Sequence, residues 1–161
     1  MGRQLGKDFY NKAFSSSEKY KKFYKNTPWF PIWFEINNLV KRFDLKKVLE
    51  LGCGPGQLAH YIIKDNEINY LGIDFSDEAI KIASKNLIEN NLKGSFINED
   101  INNVSLNSFE YDGVIATEFL EHIDNDVETL KKLRKDTIII GTLPNKDSAG
   151  HVRFYPHSYD E

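Results

Sequence analysis

The 161 residues are 40% hydrophobic and 28% charged, with a net charge of −3 at pH 7, values ordinary for one soluble domain with a single core. No run approaches the roughly eighteen apolar residues of a membrane span, and the single cysteine, Cys53, excludes an internal disulfide. The start of the chain carries no signal-peptide apolar stretch, and Gly6 stands where a myristoylation signal needs Ser or Thr. A cytoplasmic protein is expected.

Charge is divided unevenly. Residues 1–47 hold 11 Lys or Arg against 4 acids, a balance of +7, and the remainder hold 10 against 20, a balance of −10. Within the basic part, Lys19-Tyr-Lys-Lys-Phe-Tyr-Lys25 interleaves bases with aromatics, a pattern suited either to nucleic acid or to a solvated helix face with its rings packed inward. The acidic remainder argues against a long polyanion as partner.

Residues 9–24 show two helical patches separated near Ser15–Ser17, the second opening with Ser capping signals, and Asn26-Thr-Pro28 breaks the pattern. Pro31 suits a first helical position, and Ile32, Ile36, Leu39 and Phe43 recur at helical spacing toward Lys41-Arg42. Trp29, Phe30 and Trp33 give this helix more aromatic surface than it needs, either as core or as a lid on an acceptor pocket. Residues 1–45 read as a helical cap and 46–161 as the core of a single domain.

From residue 47 strands alternate with helices, which predicts crossover connections and a parallel α/β sheet. Strands are expected near 47–51, 69–74, 94–97, 111–116 and 137–141, and helices near 57–64, 77–90 and 125–135. Ser76 suits a helix cap, Ala79, Ala83 and Leu87 form one stripe, and Val127, Leu130 and Leu133 are expected to face inward. Ligands in such sheets bind at the carboxyl ends of the strands, where Gly52, Asp74, Asp100 and Thr117 would gather.

The first strand ends Val48-Leu-Glu-Leu-Gly-Cys-Gly-Pro-Gly56. Its glycines sit at alternate positions, unlike the dinucleotide fingerprint G-x-G-x-x-G, whose third glycine comes one residue later. Pro55 removes an N–H from the turn, and Glu50 adds an acid, which repels a pyrophosphate and attracts an ammonium. This segment resembles motif I of the class I S-adenosylmethionine-dependent methyltransferases. Tyr70-Leu-Gly-Ile-Asp74, Asn98-Glu-Asp-Ile101 and Tyr111-Asp-Gly-Val-Ile-Ala116 resemble the motifs that follow it. The resemblance implies a Rossmann-like parallel sheet flanked by helices and S-adenosylmethionine as cofactor, with S-adenosylhomocysteine as product. It also implies contacts from Glu50 (methionine amino end), Gly52, Cys53, Gly54, Gly56, Asp74 (ribose), Phe75, Asp100 (adenine), Ile101 and Thr117. Cys53, by its place in the turn, reads as a small filler. After strand five about twenty residues remain, too few for the antiparallel hairpin that ends the family's sheet. A truncated or minimised domain, or a sheet edge completed by a partner, would account for that.

Methyl transfer needs an in-line approach of the acceptor, so positioning supplies most of the rate. His122 is the candidate base and Glu118 its neighbour near the acceptor. Glu118-Phe-Leu-Glu121-His122 is similar to an E-x-x-E-H run of ubiquinone-biosynthesis O-methyltransferases and small-RNA 3′-end methyltransferases, which implies a possible Mg²⁺ or Mn²⁺ site on Glu118, Glu121 and His122, with His151 or His157 as a fourth ligand. The alternative is no metal. Arg153 is a candidate partner for an anionic acceptor. The expected function is methyl transfer to a small molecule, on oxygen or nitrogen, by a monomer or homodimer. The rivals are a cofactor-binding module without catalysis of its own, a nicotinamide-binding Rossmann domain and an RNA-directed methyltransferase.

Overall fold

The computed structural model describes residues 3–145 and 150–154. Five strands, β1 (Lys47–Leu51), β2 (Asn69–Asp74), β3 (Ser95–Asn98), β4 (Gly113–Ala116) and β5 (Ile138–Gly141), form one sheet in the order β3-β2-β1-β4-β5. Every pairing is parallel. Strand order reverses between β1 and β4, which opens a crevice at their carboxyl ends. A parallel sheet is covered on both faces, so its strands read as near-continuous apolar runs. In β1, Val48, Leu49, Glu50 and Leu51 are all buried.

Alternate residues of the strands feed two cores. On one face Val48, Tyr70, Ile115 and Ile140 meet α2 (Phe30–Arg42) and α3 (Gln57–Asp65) through Trp33, Ile36, Val40, Leu58 and Ile62. On the other, Leu49, Leu51, Ile73 and Val114 pack with Ile101, Leu106, Leu120 and Ile123. α4 (Asp77–Glu89) buries Ala79, Ala83 and Leu87, and Ser76 caps it, its Oγ accepting from the Ala79 N–H at 3.2 Å. α1 (Lys7–Ser16) lies against α4. Among the described residues, none after β5 adds a strand.

Three expectations are corrected. In α2 the buried residues are Trp33, Ile36, Asn37 and Val40, whereas Ile32 and Phe43 are 42% and 46% exposed. The helix is turned so that Asn37 reaches partners: its amide donates to Asp65 Oδ2 (2.5 Å) and Tyr61 Oη (3.3 Å) and accepts from Asn66 Nδ2 (2.7 Å). Pro31 is the second helical residue. Secondly, 18–26 forms two single 3₁₀ turns, Glu18–Tyr20 and Tyr24–Asn26, and Ser17 makes no side-chain cap bond. Thirdly, near α5 (Asp126–Lys131) Leu130 and Leu133 pack on the core as expected, but Asp126 and Thr129 are buried and Val127 is 55% exposed. Asp126 faces inward in an ion pair with Arg153, and its neighbour Val127 is turned out.

Gly56 precedes α3 at φ 72°, and a Cβ there would lie 2.7 Å from Ala83 Cβ. This glycine lets α3 and α4 approach. Gly56→Ala combines left-handed strain with overpacking and is expected to cost about 2–4 kcal/mol, read as a lowered midpoint with unchanged slope in urea unfolding.

Candidate active site

The turn after β1 is shaped by contacts that admit no side chain at Gly52. Its φ is 68° and a Cβ there would fall 2.3 Å from Phe119 Cδ2. The N–H groups of Gly52 and Cys53 both reach the Ile73 carbonyl, at 2.8 and 3.1 Å, which ties the turn to β2. At the end of β2, Asp74 accepts from the Gly54 N–H (2.9 Å) with one oxygen and from the Ser76 N–H (2.8 Å) with the other. Burial pushes the Asp74 pKa up, and these two N–H groups pull it back. At the end of β3, Asp100 accepts from the Asn102 N–H at 2.8 Å and opens the turn Ile101–Asn103.

Two cavities meet over this edge. One, of about 100 Å³, is lined by Gly52, Gly54, Asp74, Phe75, Asp100 and Ile101 beneath Leu5, Tyr10, Phe14 and Phe119. The other, of about 500 Å³, runs from Glu50, Gly52, Cys53 and Thr117 past Glu118, His122 and His151 to Phe9, Tyr20, Trp29 and Trp33. Tyr10, Phe14, Gly52, Gly54, Glu118 and His122 belong to both.

Residues 48–135, more than half of the chain, match the methyltransferase domain family. The chain belongs to the class I S-adenosylmethionine-dependent methyltransferases. It is 31% identical over 87 residues to the ubiquinone biosynthesis O-methyltransferase of Vibrio vulnificus, a match covering 53% of this chain and 37% of that one. It therefore spans well under half the length of such curated relatives. Among solved structures, the plantazolicin methyltransferase BpumL in complex with SAH superposes with a TM-score of 0.62 at 26% identity, over 84% of this chain and 58% of that one. A Methanococcus maripaludis protein described as a putative S-adenosyl-L-methionine-dependent methyltransferase shares the fold at a TM-score of 0.68 and 20% identity, over 88% and 67% of the two chains.

Nine of the ten expected cofactor contacts line one or both cavities, Glu50, Cys53 and Thr117 only the larger one. Gly56 lines neither and serves helix packing. Cys53 Sγ sits 2.8 Å from where a Gly72 Cβ would be, and burial pushes its thiol well up, as suits a filler. Glu50 departs from the fixed negative charge expected of it. It is 2% exposed and accepts from the Tyr70 hydroxyl, and burial pushes its pKa to about 8.

The E-x-x-E-H run is not one helical face. Glu118 takes φ 50° and its N–H donates to Thr142 Oγ1 at 2.9 Å, before a single 3₁₀ turn over Leu120–His122. Glu118 is exposed at the rim, whereas Glu121 is fully buried. Ligand atoms of Glu121, His122 and His151 lie within 4.8 Å of one another. Both Glu121 oxygens and His151 Nδ1 are buried without a hydrogen-bond partner among the described residues, and burial raises the Glu121 pKa. His122 Nδ1 lies 2.9 Å from the Gly150 carbonyl, which can only accept, so Nδ1 carries hydrogen and a lone pair available for a proton can stand only on Nε2. Arg153, the candidate partner of an anionic acceptor, pairs with Asp126, and its Nη2 donates to the Asp124 carbonyl at 2.8 Å. His157 lies outside the described residues.

Sequence reasoning missed the roof. Tyr10 and Phe14, four residues apart on a largely polar α1, signal an inward stripe, and Phe119 carries no signal beyond its place after β4.

Because the folded protein holds the Glu50 proton up to about pH 8 and an unfolded chain releases it near 4.5, this group's contribution to stability is full below pH 4.5 and is lost as pH rises through 8. Glu50→Gln should flatten that decline and raise the ligand-free melting temperature at the alkaline end by on the order of 5 °C, measured by calorimetric melting across the interval.

Proposed function

We propose that this domain binds S-adenosylmethionine at the carboxyl ends of β1, β2 and β3 and transfers its methyl group to a small-molecule acceptor held in the larger cavity. The convergence of the Gly52–Gly54 turn, Asp74 and Asp100 on one crevice that opens into a second, aromatic cavity carries this reading. Asp74 suits ribose hydroxyls, Asp100 an adenine amino group, Phe75 and Ile101 the base faces, and Glu50 the amino end. When bound, the cofactor supplies a methyl on a sulfonium, so the protein's task is alignment rather than covalent help. His122 Nε2 takes the acceptor's proton, with Nδ1 held by the Gly150 carbonyl, and Glu118 stands at the acceptor rim. Relatives named for ubiquinone biosynthesis and plantazolicin support a small molecule. Among the described residues no helix is long and apolar enough to cross a membrane, and the cytoplasm is the proposed location.

The cavity wall suits a flat apolar acceptor. Tyr20 stacks on Trp29 (centroids 6.0 Å, 11°) and Trp29 on Trp33 (6.1 Å, 24°), with Lys19 Nζ 4.5 Å over the Tyr20 ring. These are the chain's two tryptophans, so their fluorescence reports occupancy directly.

A second reading is favoured by the unpartnered carboxylate of Glu121. A divalent ion on Glu121, His122 and His151 would neutralise it, and one carboxylate with two imidazoles favours Mn²⁺ or Zn²⁺ over Mg²⁺. In that case His122 would be a ligand rather than the base, and the ion would supply a positive charge beside the acceptor. Metal analysis after dialysis decides between the two: about one equivalent retained, and lost in Glu121→Gln, selects the ion, and none retained or rebound leaves His122 as the base.

Calorimetry tests the function itself. S-adenosylhomocysteine should bind, and Asp74→Ala should weaken it at least about tenfold; equal affinity in the variant removes Asp74 from the ribose role. With the product bound, a planar phenol should quench tryptophan fluorescence saturably while cyclohexanol does not.

A further inference from the structure

The larger cavity holds one fixed cation, and its setting asks for an anion. Among the side chains that line this cavity, the carboxylates are Glu50 and Glu118 and the ammonium is Lys19. Glu50 is 2% exposed and keeps its proton to about pH 8. Glu118 shares a short stretch of chain with His122, at the end where the methyl would be delivered, so the cavity is acidic at that end and basic at its aromatic wall.

Lys19 is placed there by its surroundings. The carboxylate next to it in the chain, Glu18, goes to Lys21 Nζ at 2.9 Å. Gln57, the buried first residue of α3, donates its amide to the carbonyls of Lys22 (2.6 Å) and Lys19 (3.4 Å), which ties this turn to a helix that also lines the cavity. Lys19 Nζ then lies 4.5 Å from the Tyr20 ring centre and 5.4 Å from a Trp29 ring centre, over two rings stacked at 6.0 Å and 11°. It has no ion-pair partner among the described residues. A ring face holds an ammonium on one side only, which leaves N–H donors for an oxyanion. Arg153, the other cation weighed for an anionic acceptor, lines neither cavity and pairs with Asp126.

We infer that the acceptor is a phenol bearing a carboxylate arm, that the arm pairs with Lys19 at the Tyr20–Trp29 wall, and that the hydroxyl at the opposite end of the ring is thereby turned toward His122. One ammonium balances one charge, which matches a carboxylate rather than a phosphate near its dianionic form. Lys19 is then a specificity-determining residue. This rests on the methyl-transfer reading above and adds to it the class of substrate.

Tryptophan fluorescence titration of the protein saturated with S-adenosylhomocysteine tests it with three probes built on one ring: 4-hydroxyphenylacetate, 4-hydroxyphenylacetamide and 4-cresol. Wild type is expected to bind the acid about fivefold more tightly than the amide, a ratio that shrinks as salt is raised. Lys19→Gln should bring the ratio to about one and leave 4-cresol unchanged, and Lys19→Arg, which keeps the charge, should retain the preference. An acid that binds wild type no better than its amide, or a preference that survives in Lys19→Gln, overturns the inference. Equal weakening of all three probes in Lys19→Gln also overturns it, since the side chain then only shapes the wall. Wild type that binds S-adenosylhomocysteine but none of the probes overturns it together with the aromatic acceptor wall. Wild type that binds no S-adenosylhomocysteine refutes the cofactor reading instead, a result distinct from every probe outcome.

Discussion

The site is assembled around one carboxylate. Asp74 spends each of its oxygens on a backbone N–H, one from the turn after β1 and one from the turn after β2. Those two bonds lock adjacent strand ends into a single rim. A buried carboxylate is costly unless donors surround it, and the turn geometry exists to supply them. Gly52 and Gly54 are needed less for openness than to bring the Gly54 N–H to Asp74 while Phe119 presses on Gly52 from the other side. A ligand at this rim meets a preorganised edge rather than a loop that must be ordered.

Glu50 shows the opposite arrangement. It points to the face of Val48 and Tyr70, receives one hydroxyl, and holds its proton to about pH 8. A ligand ammonium brought alongside would favour the ionised form, and binding at that point would then be coupled to proton release through this side chain. The rim thus has one acid kept ionisable by backbone donors and another kept neutral by their absence, one strand apart.

Much of this was legible in the sequence. Apolar runs ending at Leu51 and Asp74 located β1 and β2 to the residue, because parallel strands buried on both faces leave no ambiguity of pattern. The Ser76 cap and the Ala79, Ala83 and Leu87 stripe were equally plain. What failed did so where polar partners overrode apolar spacing. Asn37 turned α2, Arg153 drew in Asp126 where Val127 was expected, and Glu118 left the helical path that would have set it beside Glu121. Each depends on a partner between 24 and 29 residues away, and periodicity carries no information about such pairs. The roles of Tyr10 and Phe14 were hidden for the same reason, since only the fold brings α1 over the crevice.

The short stretch 150–154 carries a burden out of proportion to its size. Gly150 orients the His122 ring, the Val152 N–H closes on the Glu121 carbonyl at 2.7 Å, and Arg153 holds Asp126. All three contacts bridge some thirty positions of chain, and each needs residues that are synthesised after β5. Chain emerging from a ribosome would therefore be able to complete its sheet and rim first, and gain an ordered imidazole pair only once residues 150–154 have followed.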